Sequence, residues 1–248
     1  MSVRDNTAVE AVVFDLDGVI IDSEQIWNRV RESLVRERGG RWHSHAHRDM
    51  MGMSAPEWSR YMHDVLGLSD SPQDISTEVV RRMEEMYRHE LPLMKGAVQA
   101  VDRLTGCWPL AVASSSNRQL IDLILEIAGL ARRFAATVSS EEVPRGKPAP
   151  DVYLEAARRL HVDSAHCVAI EDSQNGFLSA KAAGMRVIAI PNRHYPPDRN
   201  ALAVVSTVLD SLDELTLEVV KRGCSNLQGF SDEEHAGEKM PSPATPRG

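Results

Sequence analysis

Cysteine is scarce in this chain of 248 residues: three occur, Cys107, Cys167 and Cys224, far apart and odd in number. That excludes a disulfide framework and any Cys-x-x-Cys metal or redox site, and a reducing cytoplasm is the expected location. No apolar run approaches the roughly 20 residues a membrane helix needs, so a membrane-spanning protein is excluded. Positive charge is also in deficit, with 28 Lys plus Arg against 36 Asp plus Glu and a net charge of -8. Without a Lys/Arg-rich run, gripping nucleic acid phosphates is not its expected work. The first ten residues, MSVRDNTAVE, lack the basic start and apolar stretch of a signal peptide, so secretion is not expected.

What the chain does have is 42% hydrophobic residues, enough for a real core, much of it in short apolar runs. These are Ala11 to Phe14, Leu110 to Ala113, Ala136 to Val138, Cys167 to Ile170, Val187 to Ile190 and Ala203 to Val205. Continuous apolar character reads as strands buried on both faces. Helical patterns lie between most of them, such as Leu120, Ile121, Ile124, Leu125 and Ala128 closed by Gly129, and Val152 to Leu160 after two prolines. The rhythm predicts an α/β fold, a doubly wound parallel sheet of Rossmann-like type. From Asp22 to about Leu93 no strand is apparent, whereas Ile26, Val30 and Leu34, then Trp58, Met62 and Val65, then Val79, Met83 and Met86 follow helical spacing. The expected organisation is a catalytic core of residues 1–21 and 95–224, an inserted helical cap of residues 22–94, and a polar, disordered tail of residues 225–248.

Ligands of open parallel sheets bind at the carboxyl ends of the strands, so the residues after each run carry the chemistry. The first run ends in Asp15-Leu16-Asp17-Gly18, the second in Ser114-Ser115-Ser116-Asn117, and the fourth in Glu171-Asp172-Ser173, while Arg145-Gly146-Lys147-Pro148 follows the third. Four carboxylates meeting at one rim repel one another unless a cation is present or some are protonated. An all-oxygen set points to a hard cation, Mg²⁺. A Ser hydroxyl and helix-opening N–H groups can hold phosphate oxygens, and Lys147 adds positive charge. Asp15 can then attack phosphorus to form an aspartyl-phosphate, and Asp17 can protonate the leaving oxygen and activate water.

The ordered set FDLDGVIIDSE at 14–24, ASSSN at 113–117, RGKPAPDVYL at 145–154 and EDSQNG at 171–176 resembles the haloacid dehalogenase-like superfamily. The resemblance is to its helical-cap branch, with β-phosphoglucomutases and 2-deoxyglucose-6-phosphatase-like enzymes. It implies Asp15 as nucleophile, Asp17 as general acid/base whose carbonyl also binds metal, and Ser114 and Lys147 as phosphate stabilisers. Asp172 is implied as a Mg²⁺ ligand and Glu171 as a ligand or neighbouring acid. Ser115 and Asn117 are candidate substrate contacts. Gly52 and Met53 join them because MMGMS stands where related enzymes carry a specificity segment.

Other features have simpler readings. His43, His45 and His47 lack a carboxylate partner motif and read as a solvated loop or helix face, and Trp27 and Trp58 as helix core. Similar β-phosphoglucomutases carry His five residues after the Asp at position 22, where this chain has Trp27. The expectation is therefore a Mg²⁺-dependent phosphatase of a small sugar or polyol phosphate, with a β-phosphoglucomutase-type mutase as the alternative and a non-catalytic binding module behind it. The expected partner is a small-molecule phosphate ester, not nucleic acid or a membrane, and the expected state is a monomer.

Overall fold

The computed structural model describes residues 8–192 and 196–222. Cys224 and the expected polar tail lie outside the described residues. Six parallel strands form one sheet: β1 (Ala11–Phe14), β2 (Leu110–Ser114), β3 (Ala136–Ser139), β4 (Cys167–Glu171), β5 (Arg186–Ala189) and β6 (Thr207–Val208), in the order β3-β2-β1-β4-β5-β6. The chain order reverses at β1, which leaves a crevice beyond its carboxyl end. Phe14 pairs with Val112 on one side and Ile170 on the other, which sets Asp15 level with Glu171 and one residue short of Ser114.

The apolar runs are continuous because both faces of the sheet are covered. Along β1, Val12 and Phe14 point to one layer, while Ala11 and Val13 point to the opposite one with Tyr153 and Phe177. This is the two-residue alternation of a strand with no solvent face. The second layer contains α7 (Asp151–Leu160) and α8 (Gln174–Ala182); the first contains α5 (Ala97–Thr105) and α6 (Arg118–Ile127).

Between β1 and α5 come four helices and no strand: α1 (Glu24–Glu37), α2 (Ala46–Met50), α3 (Ala55–Asp64) and α4 (Pro72–His89). Local sequence sets their starts. Before α3, Ser54 N–H donates to Glu57 Oε2 at 2.7 Å, and before α4 the Ser71 hydroxyl accepts from Asp74 N–H at 3.2 Å, with Pro72 next. Trp58, Met62, Val79 and Met83 are buried in the inner faces of α3 and α4. The chain enters and leaves this helical insertion through neighbouring segments. Asp22 N–H donates to Pro92 O at 2.8 Å, Met94 N–H donates to Ile20 O at 2.9 Å, and Ile21 bridges Leu93 antiparallel.

The sheet's outer edge departs from expectation. Ala203 to Val205 is not a strand but the turn after the short α9 (Arg199–Leu202), and β6 begins at Thr207. Val204 and Val205 pack, half-buried, on the second apolar layer, so burial alone made the run look like a strand. The chain continues to α10 (Leu217–Arg222). Among the described residues no helix is long and apolar enough to cross a membrane.

Candidate active site at the strand ends

Asp15 prolongs the β1 ladder: its N–H donates to Ile170 O at 2.9 Å, so its carboxylate is fixed at the crevice floor. Lys147 Nζ donates to Asp15 Oδ1 at 2.8 Å and to Glu171 Oε1 at 2.6 Å, and all three groups are buried. Burial pushes the Asp15 carboxyl up to about 8; Lys147 opposes this, while Glu171 and Asp17 add to it. Burial also disfavours the Lys147 ammonium, but Asp15 and Glu171 more than offset that and hold its pKa above the usual lysine value. Asp172 is held well above the ordinary carboxylate range by burial, then by Glu171 and Asp15.

Asp17 begins a tight turn. Gly18 has φ +79°, and its N–H donates to Ile21 O at 2.7 Å. A Cβ on Gly18 would lie 2.0 Å from Asp172 Oδ2, so only glycine lets these two strand ends approach. The Asp17 carboxylate accepts from four donors. Ser23 Oγ at 2.5 Å and Trp27 Nε1 at 3.1 Å reach Oδ1; Ser116 Oγ at 2.7 Å and Ser114 Oγ at 3.3 Å reach Oδ2.

The donor set suits a hard divalent cation. Among the described residues the carboxylates of Asp15, Glu171 and Asp172 form the group able to hold a metal, with oxygens within 4.8 Å of one another. Asp15 and Asp172 are both shifted upward, by burial first and then by the neighbouring carboxylates, which a bound cation would relieve. The three acids differ, however. Glu171 accepts from Lys147, Tyr153 Oη, the N–H groups of Asp172 and Ser173, and the Ser173 hydroxyl. Five donors leave Glu171 as the anchor of the β4 turn rather than an open ligand. A Cβ on Gly176 would lie 1.7 Å from Glu171 Oε1, so the glycine closing the EDSQNG motif makes room for that anchor. Asp15 and Asp172 face a cavity of about 60 Å³ between the strand ends and the helical insertion. A larger cleft of about 730 Å³ between α3, α4 and the start of α6 contains none of these buried acids.

Asp17, Lys147, Ser115, Gly52 and Met53 also line the small cavity, and Ser115 Oγ donates to Gly52 O at 3.2 Å across its rim. Asn117 stands apart. Its Nδ2 donates to Glu141 Oε1 at 2.7 Å, it makes no side-chain cap to α6, and it lines the larger cleft. The histidines do not converge on a metal: His43 Nε2 lies 3.1 Å from Tyr61 Oη, and His47 Nε2 lies 3.2 Å from Glu24 Oε2.

The sequence did not mark Ser116, Trp27, Arg31 and Trp58 as cavity groups, nor Ser23 as the buried donor to Asp17. Of these, Ser116 lay inside the quoted ASSSN motif and Ser23 inside FDLDGVIIDSE, so spacing from the strand ends was the available signal.

A family model of haloacid dehalogenase-like hydrolases matches residues 9–184. Hexitol phosphatase B of Escherichia coli (strain K12) is 34% identical over 226 residues, covering 83% of this chain and 94% of that protein. The (DL)-glycerol-3-phosphatase 1, mitochondrial, of Arabidopsis thaliana is 30% identical over 215 residues, covering 83% of this chain and 71% of that one. Among solved structures, CbbY from Rhodobacter sphaeroides in complex with phosphate superposes with a TM-score of 0.76 at 26% identity, covering 86% of this chain and 99% of that one.

Proposed function

We propose that this chain, which belongs to the haloacid dehalogenase-like hydrolases, is a phosphatase that cleaves a small sugar or polyol phosphate through an aspartyl-phosphate on Asp15. The observation that carries the reading is one crevice holding the Asp15 carboxylate on Lys147 and the Asp17 carboxylate on the hydroxyls of Ser114 and Ser116. A nucleophile, its cationic partner, a proton carrier and serine hydroxyls thus gather at one strand-end crevice, where Ser115 and Ser116 line the cavity and Ser114 is fully buried.

In the proposed sequence the ester phosphate takes the Ser114 hydroxyl and the Lys147 ammonium. Asp15 attacks phosphorus, the ester P–O bond breaks, and Asp17 gives a proton to the departing alkoxide. Water then attacks the aspartyl-phosphate while Asp17 accepts its proton, which regenerates Asp15 and releases inorganic phosphate. Asp15 and Asp172 would hold Mg²⁺, with the Asp17 carbonyl, as the resemblance implies, and Glu171 behind them. Bound there, Mg²⁺ supplies the positive charge that lets an anionic nucleophile meet an anionic ester. Substrate phosphate competes with Asp17 for the Ser114 hydroxyl, and that exchange frees Asp17 to face the leaving oxygen.

Trp27 favours hydrolysis over mutase chemistry. Its indole N–H is a donor only, so it orients Asp17 without exchanging a proton, and it stands where the resembling mutases carry a His. The cavity of about 60 Å³ is far below the roughly 300 Å³ or more of a typical ligand pocket, so the insertion must swing away to admit substrate. Hinges at 18–22 and 91–96 are the proposed pivots. The sparse cysteines support a cytoplasmic location, and the acidic balance supports work on small esters without nucleic acid partners.

The test is phosphate release from sugar phosphates, polyol phosphates, nucleotides and phosphoglycolate. Release is expected with Mg²⁺, is lost on EDTA treatment, and is abolished by Asp15→Asn with an unchanged circular dichroism spectrum. Asp17→Asn is expected to slow it by about 10²- to 10⁴-fold. Isomerisation of β-glucose 1-phosphate without phosphate release, or an Asp15→Asn variant as fast as wild type, would overturn the reading.

A further inference from the structure

Arg31 is a buried cation that makes no ion pair among the described residues. It is 5% exposed, on the inner face of α1, and it lines the same cavity as Asp15 and Lys147. Its guanidinium carbon lies 4.4 Å from the centre of the Trp27 ring and 4.8 Å from that of Trp58, in the wedge between two indoles whose centres are 6.0 Å apart. Its Nε has no hydrogen-bond partner. Burial pulls its pKa down to about 10, with Glu24, Asp17 and Tyr87 acting against this.

The nearby acids have other contacts. Glu24 Oε2 lies 3.2 Å from His47 Nε2, and the Asp17 carboxylate accepts from four donors. The two indole faces offset part of the desolvation of the guanidinium, but a ring supplies no hydrogen-bond acceptor in the guanidinium plane. The Nε–H is therefore open to an acceptor that a bound ligand brings. A neutral hydroxyl would satisfy an N–H group and leave the charge uncompensated; a carboxylate or phosphate does both, and its geometry matches the guanidinium fork.

We propose that Arg31 is a specificity-determining residue that binds a second acidic group of the substrate, a carboxylate or second phosphate on a sugar or polyol chain, remote from the phosphate being cleaved. The reacting phosphate belongs with Lys147 and the strand-end serines. Arg31 lies beyond Asp17, against the ring of the Trp27 whose Nε1 holds that carboxylate. The proposal rests on the phosphatase reading and narrows its substrate class to phosphate esters with a distal anion.

The experiment compares matched esters that differ only in that distal group: gluconate 6-phosphate with glucitol 6-phosphate, 3-phosphoglycerate with glycerol 3-phosphate, and fructose 1,6-bisphosphate with fructose 6-phosphate. The wild-type enzyme is expected to prefer the acidic member of at least one pair in kcat/KM. The carboxylate and bisphosphate arms separate the two sources of charge. In Arg31→Gln that preference ratio should fall by about 10- to 100-fold, as for the loss of a hydrogen bond to a charged group, with the loss mainly in KM. Arg31→Lys should restore part of it. Equal losses on both members would make Arg31 a structural or reacting-phosphate residue, and no acidic preference in wild type would likewise overturn the proposal. Calorimetric binding of gluconate 6-phosphate to wild type and Arg31→Gln provides a readout independent of turnover. If no ester is cleaved, the phosphatase reading fails, while equal affinity of the two proteins sinks the Arg31 assignment by itself.

Discussion

At the scale of single residues, the site depends on donors and acceptors being matched around Asp17. Trp27→Phe keeps an aromatic ring for Arg31 but deletes one of two donors to Asp17 Oδ1. The expected outcome is a fall of about tenfold in kcat with KM nearly unchanged and little change in melting temperature, measured by steady-state kinetics and thermal denaturation. A parallel rise in KM would show that the indole serves binding instead of the proton carrier. The acids were legible in the sequence because each directly follows a buried strand: Asp15 after β1, and Glu171 and Asp172 at the end of β4. Trp27 was not, since its role comes from a turn at Gly18 that folds position 27 back onto position 17. Arg31 was hidden for another reason. The apolar repeat Ile26, Val30, Leu34 marks one face of α1 as buried and leaves Arg31 to be read as solvated, but Trp58 of α3 covers that side too.

At the scale of elements, α1 and α4 are joined by charge as well as by apolar packing. Arg82 on α4 donates to both Glu37 oxygens, at 3.0 and 2.6 Å, and to Glu78 Oε1 at 2.7 Å. Hydrogen bonds from Arg82 and Ser33 hold Glu37 at about 2, and those from Arg81 and Arg82 do the same for Glu78, against an ordinary value of 4.5. Because the folded values lie below the unfolded ones, the stabilisation is present above the ordinary carboxylate range and is lost as pH falls from 4.5 toward 2. Glu37 is half exposed and the cluster lies at the surface, so the effect is small and screened by salt. Arg82→Gln is expected to lower the melting temperature by about a few degrees at pH 7 in dilute buffer, with the difference closing near pH 2 or in molar salt. A difference that persists at pH 2 would show that the arginine acts through packing of its stem. Strands with two buried faces and capped helices were readable from local composition. The two-residue β6 was not, because Val204 and Val205 are apolar for the sake of a neighbouring helix, and an edge strand carries little pattern of its own.

At the scale of the whole molecule, the acids are not evenly placed: Asp15, Asp17, Glu171 and Asp172 gather at the end of one sheet, two of them on one lysine. Folding must bring these charges together, so a cation that binds only the folded chain should stabilise it. At about 100 times its dissociation constant, Mg²⁺ is worth roughly 2.7 kcal/mol, and the melting temperature should rise by about 5–10 °C for a chain of this size. Asp172→Asn should remove most of that rise. Scanning calorimetry with Mg²⁺ and with EDTA decides it, and an unchanged melting temperature would mean that these acids hold no metal. The paired crossings at Ile20 to Asp22 and Pro92 to Met94 also have a consequence for how such a protein can diversify. Since the insertion begins and ends on adjacent backbone, it is a cassette with a fixed socket. A helical module of different shape could be grafted there without altering the register of β1, provided that it keeps the Ser23 and Trp27 donors that hold Asp17.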